Sequence, residues 1–221
     1  MEYVDTPQVE LDIYSTLESG QTFSWYRGKS GCYHSVVGGE EVLACPGRVP
    51  DWDDAYEIFR LGDDLKEIYS KIDKDGFIHR AILSLEGMRV IKSDPWETTV
   101  SFMASVHNTV REIRSSLLRM RMAVGAPVKT NYSDDLGFEL RAFPTPSQLS
   151  SLGEAELLAF GLGFRAKNIL NFAKGVQKGD FDPYAISRMS YDRAKQYLME
   201  IKGIGPKVAD CVLLFAGGYM Q

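Results

Sequence analysis

Lys207 is the residue whose surroundings say most about its chemistry. It follows Lys202-Gly-Ile-Gly-Pro206, within the longer segment from Tyr197 to Phe215. Apolar residues before Lys202 and after Pro206 predict two short helices, joined by Gly203-Ile204-Gly205. Glycine admits positive φ and leaves backbone N–H groups uncovered, and Pro206 suits the first position of a helix. The amides of such a turn and helix start point outward together. They suit one DNA phosphate, a contact that positions a duplex without reading bases. This is a helix-hairpin-helix pattern, although the G-I-G turn alone fits an αα-hairpin that merely needs glycine. Lys207 then falls in the first turn of the second helix, where the helix dipole disfavours a protonated amine. Partial desolvation would add to this and leave a free, nucleophilic amine at neutral pH. Outside such a setting, a lysine at a helix start is a solvated surface residue. Cys211, four residues on, shares its face. Asp210 lies on another face and is expected to cap or to bridge to a neighbour.

The elements that must hold this hairpin divide the chain in two. Before Asp94 the texture is β. Strands are expected at Gln21 to Arg27, Cys32 to Val37 and Glu41 to Cys45, with Gly38-Gly39 as a tight turn, and again at Tyr56 to Leu61. Helices fit Leu65 to Ile72, with Asp63 or Asp64 as the cap, and Gly76 to Leu85; Met88 to Ile91 returns as an extended piece. From Asp94 the pattern is helical. Asp94-Pro95-Trp96-Glu97 combines an N-cap acid, Pro at the first position and Glu at the third. Val100, Met103 and Ala104, then Ile113, Leu117, Met120 and Val124, follow helical spacing as far as Gly125. Residues 126–144 read as irregular. Thr145-Pro146 opens a short helix, and Glu154 to Phe160, Arg165 to Val176 and Ser190 to Ile201 continue the series. The expected fold is α+β: an N-terminal antiparallel β-sheet domain over residues 1–93, with one or two helices, packed on an all-α helix-hairpin-helix domain over 94–221.

Composition sets the outer limits. The 221 residues are 44% hydrophobic and 25% charged, ordinary for a globular chain. Met1 to Leu11 carries three acids and no apolar run that would serve as a signal peptide. No stretch approaches the roughly 20 apolar residues that span a bilayer. A net charge of −5 sits poorly with a nucleic-acid partner. The acid is concentrated, however: residues 1–92 hold 10 Lys and Arg against 17 Asp and Glu, and residues 93–221 hold 15 against 13. The second part can therefore present a local basic surface. Cys32, Cys45 and Cys211 are scattered and odd in number, which points to a reducing, cytoplasmic setting and away from disulfides or a metal cluster.

Several segments taken in order resemble the 8-oxoguanine DNA glycosylases of the helix-hairpin-helix superfamily. K-G-I-G-P-K-V-A-D-C at 202–211 is similar to their hairpin, and Ser19-Gly-Gln-Thr-Phe-Ser-Trp25 to their S-G-Q-x-F-x-W segment. Met88 to Pro95, Ser101 to Asn108, Phe143-Pro144 and Phe160 to Lys167 match further blocks, so the resemblance runs from about Gly20 to the end. It implies that Lys207 is the nucleophile, and that a glycine carbonyl at Gly20 accepts the N7 hydrogen that distinguishes 8-oxoguanine from guanine. Guanine would set an acceptor against that acceptor, a contact that discriminates well. It further implies that Cys211 lines the base pocket, that His107 and Asn108 fill the hole left by an extruded base, and that Arg165 contacts the cytosine opposite. Gly203, Ile204 and Gly205 would hold a phosphate. Read without the resemblance, Gly20 is a strand-entry turn, Cys211 a buried small residue, His107-Asn108 a polar junction and Arg165 an ordinary helix-start arginine.

The resemblance implies a bifunctional enzyme acting on double-stranded DNA that contains 8-oxoguanine, with no metal or cofactor, as a monomer in the cytoplasm, or in the nucleus of a eukaryote. Three positions depart from the family. Glu112 stands where the animal enzymes carry a second arginine, and Phe164 replaces their tyrosine, so weaker discrimination of the opposite base is expected. The family also places an essential Asp about twenty residues beyond the lysine, whereas Gln221 ends this chain first. From that, the helical domain is expected to be truncated and turnover impaired. Two rivals stay open: a catalytically impaired helix-hairpin-helix DNA-binding module, and an alkylated-base glycosylase, whose members lack the hairpin lysine.

Overall fold

The computed structural model describes residues 3–5, 10–50, 53–130 and 133–220. Among the described residues, two small antiparallel sheets form in the N-terminal part. β1 (Tyr3–Asp5) pairs with β5 (Arg48–Pro50), while β2 (Tyr26–Arg27), β3 (Tyr33–Val37) and β4 (Glu40–Ala44) make a three-stranded sheet in that order. Gly38 and Gly39 connect β3 to β4 with φ of 59° and 87°. Both angles are positive, as a two-residue hairpin turn of matching twist requires, and glycine supplies them without steric cost.

Among the described residues, four short helices accompany these strands: α1 (Ile13–Glu18), α2 (Asp53–Ile58), α3 (Leu65–Ile72) and α4 (Gly76–Ser84). Asp64 caps α3 and Asp75 caps α4, each side chain accepting first-turn amides. The helical remainder comprises α5 (Pro95–Ser105), α6 (Val110–Val124), α7 (Ser133–Leu136), α8 (Pro146–Ser150), α9 (Glu154–Ala159), α10 (Ala166–Lys178), α11 (Tyr191–Met199) and α12 (Pro206–Val212). The start signals at Asp94-Pro95 and Thr145-Pro146 both act as expected, with Asp94 accepting from the Glu97 amide and Thr145 from that of Gln148.

Three expectations are corrected. Gln21 to Arg27 is not one strand; only Tyr26–Arg27 joins a ladder. Earlier in that run the Gln21 side chain replaces the ladder, donating to the carbonyls of Thr16 (2.7 Å) and Arg89 (2.8 Å) and accepting from the Ile91 amide (3.0 Å). Tyr56 to Leu61 is not a strand, since Asp53–Ile58 is helical and the chain then turns. Its apolar residues Ala55, Ile58 and Phe59 recur at helical intervals and pack inward together. Cys32 and Cys45 form a disulfide, against the expectation of free thiols. They lie one step beyond the Tyr33–Ala44 pair, where antiparallel register sets their Cα atoms 4.2 Å apart. The reducing setting inferred from cysteine spacing loses that support.

Two apolar clusters correspond to the two textures. One gathers Ile13, Leu17, Trp25, Tyr33, Phe59 and Ile91; the other is built from α5, α6 and α8 through α12. Phe23 crosses over, packing edge-on against Phe102 of α5 at 5.6 Å. The two parts are also stitched by polar groups. The Ser93 amide donates to the Phe215 carbonyl at 2.7 Å. Buried Arg121 of α6 pairs with Glu97 of α5, which also accepts from the Ser24 hydroxyl. Burial pushes the Glu97 carboxyl up and Arg121 pulls against it.

Candidate active site

The hairpin is built as its sequence predicts. After α11 the chain turns through Ile201 to Gly205 and re-enters helix at Pro206. Gly203 has φ of 101°, and a Cβ there would lie 2.8 Å from Asn168 Nδ2 and 2.9 Å from Asn168 Cβ. Only glycine fits, for conformation and for space. Ile204 is buried in the helical core and anchors the turn, while Gly203, Gly205, Pro206 and Lys207 are exposed. Gly205 is the N-cap of α12 and brings no side chain, so no side chain caps the first-turn amides of α12. They lie beside two exposed glycines.

Lys207, Cys211, Gly203 and Gly205 line a cavity of about 790 Å³ whose other walls come from distant segments. Gly20 contributes from the loop after α1 with φ of 82°, and His107 and Asn108 from the junction between α5 and α6. Seven of the nine residues singled out from the sequence therefore meet around one space. Ile204 supports that space from the core, and Arg165 lies outside its lining. Phe102 and Phe215 form a stacked aromatic wall at 5.6 Å, joined by Phe23. These rings carry no functional signal in the sequence, because aromatic residues at helical spacing read as core.

Lys207 remains exposed, so the desolvation part of its expected activation is not met in this state. Cys211 is half-buried with a free thiol, which burial pushes up while the Lys207 charge pulls it down. Asp210 bridges, as expected. Its carboxylate accepts from Tyr191 Oη (2.6 Å) and Lys195 Nζ (3.0 Å), tying α12 to α11. These two donors, Lys195 first, hold it below the usual carboxylate range.

His107 adopts φ of 50°, uncommon for a residue with a Cβ. Around it the Asn108 side chain donates to the Ala104 carbonyl (3.3 Å) and accepts from the Thr109 amide (3.0 Å). Glu112 is engaged locally, forming a capping box with Thr109 at the start of α6. Arg165 donates from Nε to the Val106 carbonyl (2.6 Å) and from Nη2 to the His107 carbonyl (2.9 Å), which places its guanidinium beside the junction.

No family model matches the chain. Among curated proteins it is 30% identical over 167 residues to the N-glycosylase/DNA lyase of Saccharomyces cerevisiae, covering 71% of this chain and 43% of that one. It is 27% identical over 230 residues to that of Arabidopsis thaliana, covering 94% and 61%. A probable N-glycosylase/DNA lyase of Methanothermobacter thermautotrophicus is 28% identical, covering 72% and 55%. The chain thus spans about half the length of these relatives. Among solved structures, MBOgg1 in complex with a low-affinity DNA ligand superposes with a TM-score of 0.86 at 28% identity, covering 99% of this chain and 80% of that one. The fold is shared also with the Clostridium acetobutylicum 8-oxoguanine glycosylase/lyase, solved with DNA bearing cytosine opposite 8-oxoguanine (TM-score 0.85, 24% identity, 95% and 74% covered). On sequence and fold together, the chain is a homologue of proteins named N-glycosylase/DNA lyase and shares the fold of the 8-oxoguanine glycosylase structures, consistent with the helix-hairpin-helix glycosylase superfamily.

Proposed function

We propose that this chain acts in base-excision repair, removing 8-oxoguanine from double-stranded DNA and cleaving the strand at the resulting site. One observation carries the reading. A nucleophile candidate, a half-buried thiol, the Gly20 segment and the His107-Asn108 junction come from three separate stretches and meet around one cavity. A base inside a duplex is out of reach, so it must be extruded, at a cost of about a few kcal/mol. The hairpin amides would grip the backbone beside it. The Lys207 amine attacks C1′ as the bond from C1′ to the base breaks; the base leaves with the bonding electrons and takes up a proton. The amine loses its protons as the sugar ring opens, giving a Schiff base. Loss of a C2′ proton then expels the 3′ phosphate, and water releases the lysine. Lys207 gains the desolvation it lacks in the free protein when DNA covers the cavity. Proton transfers at the sugar do not fall to Asp210, whose oxygens are engaged by Tyr191 and Lys195.

The two apolar clusters support a division near residue 93, with an N-terminal unit over 1–93 and a helical unit over 94–221, acting as a monomer. The test is borohydride trapping on an 8-oxoguanine duplex. Wild type should yield a covalent adduct and Lys207→Gln none. An adduct that persists in the variant removes Lys207 from its role. No adduct from wild type removes the lyase, and lesion-selective binding without an adduct would then leave a DNA-binding module.

A further inference from the structure

We infer that a second cavity, across Phe23 and Phe102 from Lys207, binds a small planar molecule carrying adjacent N–H donors on one edge. This site lies between the two parts of the chain and is separate from the proposed repair chemistry. It holds about 520 Å³, the size of a small-ligand pocket. One wall comes from Gln21 to Trp25 and the β3–β4 turn, the other from the first half of α5, together with Phe143 and Tyr184. Its aromatic walls are fixed before any ligand arrives. Trp96 Nε1 donates to the Pro144 carbonyl at 2.9 Å, and its ring stacks on Phe172 at 5.3 Å. The Phe143 ring lies 5.1 Å from the Arg121 guanidinium carbon, which sits over its face. Rings held in this way offer flat apolar surface without an ordering cost on binding.

Two polar groups on one wall set the chemistry of the occupant. Glu97 and Ser101 stand one turn apart on the same face of α5, and both line the cavity. Ser101 is 3% exposed, and its hydroxyl has no hydrogen-bond partner. An unpaired hydroxyl at that depth is costly, and a bound polar group removes the cost. Glu97 accepts from the Ser24 hydroxyl and from Arg121 Nη2, both on Oε1, so Oε2 is left without a donor. Two acceptors thus stand side by side between aromatic rings, and they call for two neighbouring donors. A cation is disfavoured there, because the Arg121 guanidinium already neutralises the carboxylate. The fit is to a neutral heteroaromatic of one or two rings in which an amino group adjoins a ring N–H.

The test is a ligand titration followed by NMR, with isocytosine as the probe and pyrimidinone, the same ring without the amino group, as its control. Hydrogen exchange locates the bound probe. The two cavities share Gln21, Phe23 and Phe102, so location is read from segments that line only one of them. Isocytosine should bind saturably and protect the amides of 35–38 and 94–98. Pyrimidinone, one donor short, should bind roughly threefold to tenfold more weakly. Ser101→Ala removes a hydroxyl that bonds nothing in the free protein, so the fold is kept, and isocytosine should weaken by about the same factor. Glu97→Gln should cost roughly tenfold or more, the size of one hydrogen bond to a charged acceptor. Should Glu97→Gln unfold for want of its pair with Arg121, Ser101→Ala decides alone. No saturable binding up to the solubility of isocytosine overturns the inference. So does protection at 105–108 and 203–208 instead, which would put the probe beside Lys207. Equal affinity for pyrimidinone, or unchanged affinity in Ser101→Ala, overturns it as well.

Discussion

At the residue scale the hairpin glycines separate conformation from function. Gly203 sits at positive φ against Asn168, so Gly203→Ala should cost at least about 1–2 kcal/mol of stability for the left-handed backbone alone, read as a lowered urea midpoint. Gly205 has ordinary φ of −96° and nothing within 4 Å of a notional Cβ. Gly205→Ala should therefore keep stability within about 0.5 kcal/mol, yet weaken duplex binding, because a methyl group would stand before the uncapped amides. Full duplex affinity in Gly205→Ala would show that these amides do not hold a phosphate. Both glycines, Lys207 and Cys211 were legible in the sequence because ten contiguous residues carry the pattern. Arg165 was legible as a position but not as a contact, since nothing local announces that its partners are carbonyls some sixty residues earlier.

At the element scale, α3, α5 and α8 were legible from their start signals and α9 and α10 from periodicity, while α1 and α2 were not read as helices. Asp64, Asp94 and Thr145 each sit where a side-chain oxygen satisfies a first-turn amide, a requirement local enough to show in four residues. Helix α2 was missed because Tyr56 and Phe59 suggested strand. The capping box of α6 carries a prediction that bears on the site, because Thr109 directly follows the junction. Thr109→Ala should destabilise the protein by about 0.5–2 kcal/mol in thermal or urea unfolding, with faster exchange in the first turn of α6. Unchanged stability would mean that the box is redundant with the packing of Ile113 beneath it.

At the scale of the whole molecule, a buried histidine joins parts far apart in sequence. His34 of β3 contacts Glu41 through Nδ1 (2.9 Å) and Asp135 through Nε2 (2.8 Å). Asp135 also accepts from the Ser30 amide and hydroxyl, both at 2.7 Å. Hydrogen bonds from Ser30, then from His34, lower its carboxyl from 3.8 to about 2. A depressed carboxylate stabilises the fold above its unfolded pKa and loses that contribution as pH falls through the folded value. Thermal midpoints should therefore drop between about pH 4 and 2, with a shallower slope in Asp135→Asn. An equal slope in the variant would assign the acid transition to other carboxylates.

The sequence alone determined the features governed by neighbours along the chain: the hairpin turn, the capped helices, the Gly38-Gly39 turn and the identity of the nucleophile candidate. These depend on φ, on capping and on periodicity, each set within a few residues. What tertiary structure decided depends on groups that local sequence does not bring together. It closed Cys32 onto Cys45 across a hairpin, gave the Gln21 side chain the work of a strand, and bonded Arg165 to the backbone of the junction after α5. It also gathered Gly20, His107, Asn108, Lys207 and Cys211 around a single cavity. Register and packing create that proximity only when the two parts of the chain close on Phe23, Phe102 and Phe215.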